Sequence, residues 1–547
     1  AEILAEAPLT LNKDQQQAVR AVAGKLEQFS CYLLEGVTGS GKTEVYLQLI
    51  EQVLKQGNST LVLVPEIGLT PQTVARFKRR FNVPILLLHS GLSDQQRAHD
   101  WLRAAQEDAC IVIGTRSSVF APIQKLGMII VDEEHDLSFK QQDGLRYSAR
   151  DVAVMRAHHG NIPIILGSAT PSLESLHNVD SGRYRHLLLP ERAGTAEPPV
   201  FELLDIRSRP LQSGFSQPLI SAIAAELNSG NQVLVFLNRR GFAPALLCHE
   251  CGWSASCKRC DARLTLHLKP HQLRCHHCDS QQRVPVECPE CGHVELNPIG
   301  VGTERSEQEI EKLFPNHTII RIDRDTTRSK AAMQGMVDRI KTGKPCILIG
   351  TQMLAKGHHF PGVTLVAVLE ADSGLFSSDF RGLERMGQLI IQVAGRAGRA
   401  SKRGRVMIQT HQGDHPLLQC LIGKGYPEFA RLLLTERRQA ELPPYAHTVL
   451  FRAEAVNERT PFEFLARVKE LSQQLISTYQ LQDIQVLGPI PAIMYKKAGR
   501  YRAQLMLKCR DRKPIHRLVT PLTLQLESQG ESRKVRWSID VDPMEFL

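Results

Sequence analysis

Gly36-Val37-Thr38-Gly39-Ser40-Gly41-Lys42-Thr43 matches G-x-x-x-x-G-K-[ST] at every fixed position. No other stretch of the chain restricts its fold as tightly. The approach, Tyr32 to Leu34, is apolar and reads as the end of a buried strand, and the residues from Glu44 onward read as a helix. Strand, loop and helix therefore follow in the order a phosphate-binding loop requires, which a chance Gly-rich turn does not. The glycines Gly36, Gly39 and Gly41 let the backbone curl around Ser40 and aim a row of N–H groups at an anion. The start of the helix, with Glu44 in its first turn, adds its positive end at the same point. Lys42 is placed to reach the outer phosphates and Thr43 to hold Mg²⁺. The expectation is a nucleoside triphosphate site on a parallel α/β sheet.

The chain has 547 residues, too many for one core at about 150 residues per domain, so three or four units are expected. Its net charge of +10 points to a polyanionic partner, of which nucleic acid is the usual one. Apolar runs such as Met128 to Val131 fall far short of the ~18 residues a membrane span needs. The start, Ala1-Glu2-Ile3-Leu4, lacks the layout of a signal peptide. Of 13 cysteines, eight form four C-x-x-C pairs in one short window, and Cys31, Cys110, Cys346, Cys420 and Cys509 are scattered. Clustered ligands plus isolated thiols are the usage of a reducing compartment.

Ahead of the phosphate loop, Asn12 caps a first helix, and Gln15 is the candidate to read an adenine edge; a surface glutamine is the competing reading. Downstream, strands alternate with helices. Ser59 to Val64 leads into Pro65-Glu66-Ile67-Gly68, and Cys110 to Ile113 leads into Gly114-Thr115-Arg116-Ser117. Loops at the carboxyl ends of parallel strands hold ligands, and Thr115 and Arg116 suit phosphodiester contacts that read no base. Met128 to Val131 then delivers Asp132-Glu133-Glu134-His135. Asp132 is placed to hold Mg²⁺ opposite Thr43, and Glu133 to orient the attacking water as general base. Phe139, Lys140, Arg146 and Tyr147 alternate aromatic with basic side chains, which suits stacking on bases and pairing with phosphate; a cap with buried rings is the alternative. Pro163 to Leu166 ends in Gly167-Ser168-Ala169-Thr170. Phosphate loop, D-E-E-H, S-A-T and the motifs that follow resemble the superfamily 2 helicases, which implies two RecA-like lobes with ATP bound between them.

The second lobe opens with Gln232 to Leu237 and Asn238-Arg239-Arg240-Gly241. It is then interrupted by Cys248/Cys251, Cys257/Cys260, Cys275/Cys278 and Cys288/Cys291. A C-x-x-C turn supplies half of a tetrahedral Zn²⁺ shell, so four pairs make two closed, structural Zn²⁺ sites. The spacing leaves the pairing open; the nested arrangement joins Cys257/Cys260 with Cys275/Cys278 inside Cys248/Cys251 with Cys288/Cys291. Gly350 to Pro361 resembles the helicase motif that grips the strand backbone, with Thr351 and Lys356 as its contacts; His359 stands where many relatives have an acid. Gln392-Val393-Ala394-Gly395-Arg396-Ala397-Gly398-Arg399 puts two arginines three apart, expected on one helix face and aimed across a cleft at the γ-phosphate.

Past Leu442-Pro443-Pro444, strands and amphipathic helices read as a small α+β domain, in which Tyr495 to Arg502 is a basic, aromatic loop or an exposed hairpin. The expected division is 1–200 for the first lobe, 201–438 for the second with its insertion at 247–295, and 439–547 for the C-terminal domain. The twin lobes, the eight-cysteine insertion and this last domain resemble the bacterial primosomal helicases of replication restart. That resemblance implies a cytoplasmic, nucleoid-associated 3′-to-5′ DNA helicase. It would use ATP, Mg²⁺ and two structural Zn²⁺, act on forked DNA, and recruit primosome proteins leading to the replicative helicase. It also implies a contact with the acidic C-terminal tail of single-stranded DNA-binding protein, with Arg500 and Gln504 lining the pocket. Members carry an N-terminal DNA-binding region ahead of this core, so fork recognition by this chain is expected to be impaired. Two other classes compete: a duplex translocase or RNA remodeller, and an assembly scaffold with incidental ATPase. Strand displacement on DNA and RNA forks separates the first, and DNA-stimulated ATP turnover near zero favours the second.

Overall fold

The computed structural model describes the chain except residues 1–2, 67–70, 194–196, 238–244, 260–262, 269–270, 276–279, 300–305, 323–329, 351–359, 361, 370, 378, 399–402, 531–533 and 546–547. The first lobe is a seven-stranded sheet of β1 (Ser30–Gly36), β2 (Ser59–Leu63), β3 (Ile85–Leu88), β4 (Ile111–Gly114), β5 (Leu126–Asp132), β6 (Pro163–Ser168) and β7 (Arg185–Leu189). Its order is β3-β4-β2-β5-β6-β1-β7, with every pair parallel. These strands read as unbroken apolar runs because helices cover both faces of the sheet. Two core clusters result, one on each face, with Leu34, Ile50 and Ile130 in one and Leu33, Val131 and Leu166 in the other. Register aligns the business ends: Glu35 pairs with Ser168, and Asp132 with Gly167. The tips of β5, β6 and β1 therefore stand side by side at one edge.

Helix α1 (Lys13–Ala23) starts on a reciprocal cap, Asn12 accepting from the Gln15 N–H and Gln15 accepting from the Asn12 N–H. Helix α2 (Lys42–Lys55) starts directly at the loop lysine, and α3 (Leu173–Asp180) follows β6. The second lobe is a parallel sheet of β8 (Val200–Asp205), β9 (Gln232–Leu237), β10 (Thr318–Ile322), β11 (Cys346–Gly350), β12 (Val363–Leu369) and β13 (Arg405–Thr410), in the order β10-β11-β9-β12-β13-β8. Helices α4 (Gly382–Ala394) and α5 (Tyr426–Gln439) pack on it. Leu173 of α3 is buried in this second-lobe core, so the lobes share packing at their seam.

The cysteine-rich insertion leaves and re-enters the lobe through an antiparallel pair, Ala245–Cys248 with Leu296–Ile299. At the C-terminal end, β14 (His447–Ala455), β15 (Gln485–Lys497), β16 (Arg500–Cys509) and β17 (Arg536–Val541) form an antiparallel sheet in the order β15-β16-β14-β17. Helices α6 (Thr460–Thr478) and α7 (Arg512–Ser528) bury one face of it through Leu465, Val468, Leu518 and Leu522. The fold is thus two RecA-like lobes, a cysteine-rich insertion and a small α+β domain. Among the described residues no helix is long and apolar enough to cross a membrane.

Candidate nucleotide, metal and nucleic-acid sites

The phosphate loop is built by backbone conformation. Gly39 and Gly41 sit at φ +85° and +82°, where a side chain is strained, and a Cβ on Gly41 would lie 2.4 Å from Gln15 Nε2. Lys42 Nζ donates to the Gly36 carbonyl at 2.8 Å, folding the lysine over the loop. The buried Ser40 Oγ has no hydrogen-bond partner among the described residues. A curled loop with a lysine folded over it and an orphaned hydroxyl inside fits a phosphate chain.

Two predicted neighbours serve the loop from outside. Gln15 is buried, and its Nε2 donates to the Ser40 carbonyl at 2.8 Å while its Oε1 accepts from Asn12 N at 2.9 Å. It props the loop in this state rather than presenting a free amide. The Glu44 carboxylate accepts from Arg80 at 2.6 Å and from Leu9 N at 3.2 Å, so it ties α2 to the segment ahead of α1. Glu44 stands in the first turn after the loop, and this ion pair is the partner its carboxylate has there.

Asp132 closes the site from β5. Tyr46, one turn along α2, donates to its Oδ1 at 3.0 Å. Burial first, and then the Glu133 charge, push the Asp132 carboxyl up to about 6 against the pull of Lys42. A carboxylate raised by those two causes is one that a cation would relieve. Glu133 takes φ 50°, a left-handed conformation rare outside glycine. Its buried Oε2 has no hydrogen-bond partner among the described residues, with His135 Nδ1 3.7 Å away.

From there the contacts run into the second lobe. His135 Nδ1 lies 2.7 Å from Ser168 Oγ, and the other ring nitrogen meets the Gln392 amide of α4. Gln392 also donates to Thr170 Oγ1 at 3.4 Å. Arg396 joins Thr38, Thr43, Tyr46, Asp132 and Glu133 around a cleft of about 230 Å³. The helix ends at Ala394, so Arg396 lies in the turn beyond it and not on a helix face, which corrects the expected geometry. That turn lies directly on the phosphate loop: a Cβ on Gly395 would meet Thr38 at 2.7 Å. Arg399 lies outside the described residues. Tyr46 and Gln392 carried no role in the sequence reading; their signal was position alone, a tyrosine one turn past Lys42 and a glutamine opening the arginine motif.

The insertion brings Cys248, Cys251, Cys288 and Cys291 together, with one ligand sulfur from each within 4.8 Å of the others. Cys248 and Cys291 sulfurs are 3.6 Å apart, as are those of Cys251 and Cys288. A tetrahedral shell with Zn–S near 2.3 Å would put them about 3.8 Å apart. Burial, and then hydrogen bonding with the neighbouring thiols, push the Cys251 thiol up to about 12, a cost that a bound cation would offset. Cys257 and Cys275 are buried beside Leu264, Leu266 and Leu273. Cys260 and Cys278 lie outside the described residues.

Residues 12–179 match the DEAD/DEAH box helicase model, and 299–401 match the helicase conserved C-terminal domain. Residues 257–283 match the PriA DNA helicase Cys-rich region, and 438–544 the primosomal protein N C-terminal domain. The replication restart protein PriA of Haemophilus influenzae is 50% identical over 542 residues, covering 99% of this chain and 73% of that protein. That of Bacillus subtilis is 38% identical over 545 residues, covering 98% of this chain and 67% of that protein. The chain belongs to the PriA family of replication restart proteins. It is a DNA helicase with its own ATPase.

The nucleic-acid residues expected of a PriA core divide sharply. Phe139 is 2% exposed and packs among Val119, Ala149 and Ala153, so it is core and not a base-stacking platform. Lys140 is 5% exposed; its Nζ donates to the Val541 carbonyl at 2.7 Å and pairs with Asp540 at 2.9 Å, so it binds the C-terminal domain and not phosphate. Arg116 donates to the Ser138 and Lys140 carbonyls, both at 3.2 Å, and shapes the loop rather than reaching outward. Thr115 is half-buried, its N–H donating to the Leu88 carbonyl. Tyr147 is half-buried with its ring edge-on to exposed Phe120, centroids 5.0 Å apart. Thr351 and Lys356 lie outside the described residues. Arg146 opens instead into a 780 Å³ cavity between this loop and the C-terminal sheet, which Arg500, Gln504, Arg452 and Trp537 also line.

Proposed function

We propose that this chain is a 3′-to-5′ DNA motor that unwinds DNA at abandoned replication forks, so that primosome proteins can bring the replicative helicase onto the exposed strand. The observation that carries the proposal is the split cleft: Arg396 of the second lobe faces Thr43, Asp132 and Glu133 of the first. A site that needs both lobes couples their closure to chemistry.

In this reading Lys42 would engage the outer phosphates of ATP, and Thr43 and Asp132 would hold Mg²⁺, which would supply charge neutralisation at the phosphates. Glu133 orients the attacking water; its backbone is left-handed, and its Oε2 has no hydrogen-bond partner among the described residues, which suits a proton acceptor. Arg396, with Arg399, neutralises charge building on the departing phosphoryl group, a contribution worth roughly 10³–10⁵ in rate where such arginines are supplied. Hydrolysis loosens the Arg396 contact, and the lobes step along one strand. Gln15 keeps its place behind the loop, and Thr115, Thr351 and Lys356 are the proposed contacts to the strand backbone.

The inner cysteines, Cys257, Cys260, Cys275 and Cys278, would hold a second Zn²⁺, and both ions would be structural. The cavity with Arg146, Arg452, Arg500 and Gln504 takes the acidic tail of single-stranded DNA-binding protein; its rim adds Lys497, Arg502 and Arg536 against Asp143, Glu454 and Glu545. Unchanged tail binding by Arg500→Ala rejects that assignment. The chain works in the cytoplasm, at the nucleoid. The proposed division is 1–200, 201–438 and 439–547, and its first cut falls inside β8, one residue after its start at Val200.

Lys42→Ala tests the motor. It is expected to abolish DNA-stimulated ATPase and strand displacement on forked DNA while DNA binding by anisotropy stays within twofold of wild type. Retained unwinding overturns the scheme.

A further inference from the structure

A chain of polar side chains joins the motor lobe to the outer cysteine knuckle. Asp372 follows β12 and is 3% exposed. It accepts from the His411 N–H at 3.0 Å and from His411 Nδ1 at 2.6 Å, and Thr410 donates to its other oxygen. His411 Nε2 is hydrogen-bonded to His249 Nδ1 at 2.8 Å, and His249 Nε2 donates to the Arg209 carbonyl at 3.0 Å. His249 stands between Cys248 and Cys251, inside the knuckle itself. The backbone backs this seam: Gln412 donates to the Gly252 carbonyl at 2.6 Å, and a Cβ on Gly252 would meet the His411 carbonyl at 2.8 Å.

The other end of the chain reaches the ATPase cleft. Asp372 begins the short helix Asp372–Leu375. That helix is pressed onto α4, since a Cβ on Gly374 would lie 2.5 Å from Met386 Cβ. Helix α4 carries Gln392, which meets His135, and the turn after it carries Arg396 into the cleft. Two packed helices that close cannot slide independently, because interiors packed to this density transmit displacement. The far ring of the chain is held at both nitrogens, so it reports the position of Asp372 directionally. An apolar seam would pack as well without fixing one orientation.

We propose that His411 is a positioning residue that passes nucleotide-driven movement of the second lobe to the zinc knuckle, through Asp372 on one side and His249 on the other. This deepens the motor reading above and rests on it. The His411 ring is hydrogen-bonded to Asp372 and His249, and it acts through these two neighbours.

His411→Asn tests the link selectively. An asparagine amide can still donate to Asp372 from the place of Nδ1 but has nothing in the place of Nε2, so the lobe stays satisfied and the bridge to His249 is cut. Three results are expected with Zn²⁺ content at the wild-type level. The kcat and KM of DNA-stimulated ATPase stay within twofold. Base pairs displaced per ATP fall about tenfold, within the range a coupled hydrogen-bonded pair supports. Hydrogen exchange at 248–254 stops responding to an ATP analogue with forked DNA, a response the wild type shows. His249→Ala combined with His411→Asn is expected to be no worse than His411→Asn alone, because one link is cut twice. Unchanged displacement per ATP in His411→Asn overturns the proposal, as does a loss of ATPase in step with unwinding, or Zn²⁺ loss. Absence of ATP-dependent displacement by the wild type overturns the motor reading itself, and is told apart because it precedes any variant.

Discussion

Phe139 and Tyr147 come from the same aromatic, basic loop and meet opposite fates. Phe139 is buried against Val119, Ala149 and Ala153, whereas Tyr147 lies half-buried with its edge on an exposed ring. A ring with no exposed face cannot stack on a base, so Phe139 acts through the core. Phe139→Ala is expected to destabilise the first lobe by about 3–4 kcal/mol, the usual loss for a buried aromatic. Urea unfolding followed by Trp101 fluorescence checks this; a change below about 1 kcal/mol would return Phe139 to the surface. The phosphate loop was legible because its constraints are local: eight consecutive residues, two of them glycines at positive φ. The loop after the acid box was not, because alternation of ring and base looks the same whether the ring points in or out. The roles of Tyr46 and Gln392 depend on partners 86 and 257 positions away, which no local pattern displays.

At the scale of elements, α3, α4 and α5 form the clasp that holds the lobes together. Arg381, preceding α4, donates to Glu174 of α3 at 2.5 Å, and Arg437 of α5 donates to Glu384 of α4 at 2.7 Å. Glu384 also accepts from Leu173 N at 3.0 Å, and Tyr426 donates to the Pro171 carbonyl at 2.7 Å. Both guanidiniums lie over the Phe380 ring, 5.0 and 4.9 Å from its centre. Burial opposes the Glu174 charge, yet Arg381, Arg437 and Arg150 together hold its carboxyl down at about 2, from an ordinary 4.5. A folded value below the unfolded one means the ion pair stabilises fully above about pH 5 and loses that contribution as pH falls from 4.5 toward 2. Glu174→Gln is therefore expected to lose about 3 kcal/mol at pH 7, with Arg381 left to Glu384 alone, and progressively less as the pH drops. Melting temperatures of both proteins between pH 7 and 3 check this: a constant gap would mean that the carboxylate charge is not what matters. The alternation of strands with helices was legible, though not the bounds of these three helices. Their mutual pairing was not, since charged residues on a helix read as a solvated face until the second lobe covers them.

Across the whole molecule, the last strand ties all three units together. Asp540 of β17 pairs with Lys140 of the first lobe at 2.9 Å and with Arg452 of β14 at 2.9 Å, and it is 1% exposed. Just beyond it, the Met544 carbonyl accepts from Arg385 of α4, and the Glu545 carbonyl accepts from Arg452 at 2.6 Å. The composition of the C-terminal domain told of a separate α+β unit, and its core is indeed its own. Its seating was invisible, because a contact spanning 401 positions leaves no trace in either segment. The seating carries a thermodynamic consequence. A buried carboxylate shared by two cations, once removed, leaves both uncompensated, a loss of roughly 3–5 kcal/mol. Asp540→Ala is thus expected to uncouple the C-terminal domain, so that calorimetry resolves its melting from that of the first lobe at a lower temperature. Lys140→Met leaves Asp540 its Arg452 partner, and its loss is expected to be smaller, about 1–2 kcal/mol. Adding Lys140→Met to Asp540→Ala should then recover part of the stability, because the unpaired ammonium goes with it. If the two substitutions add instead, the ion pair does not hold the domain, and the backbone contacts at Val541, Met544 and Glu545 alone do.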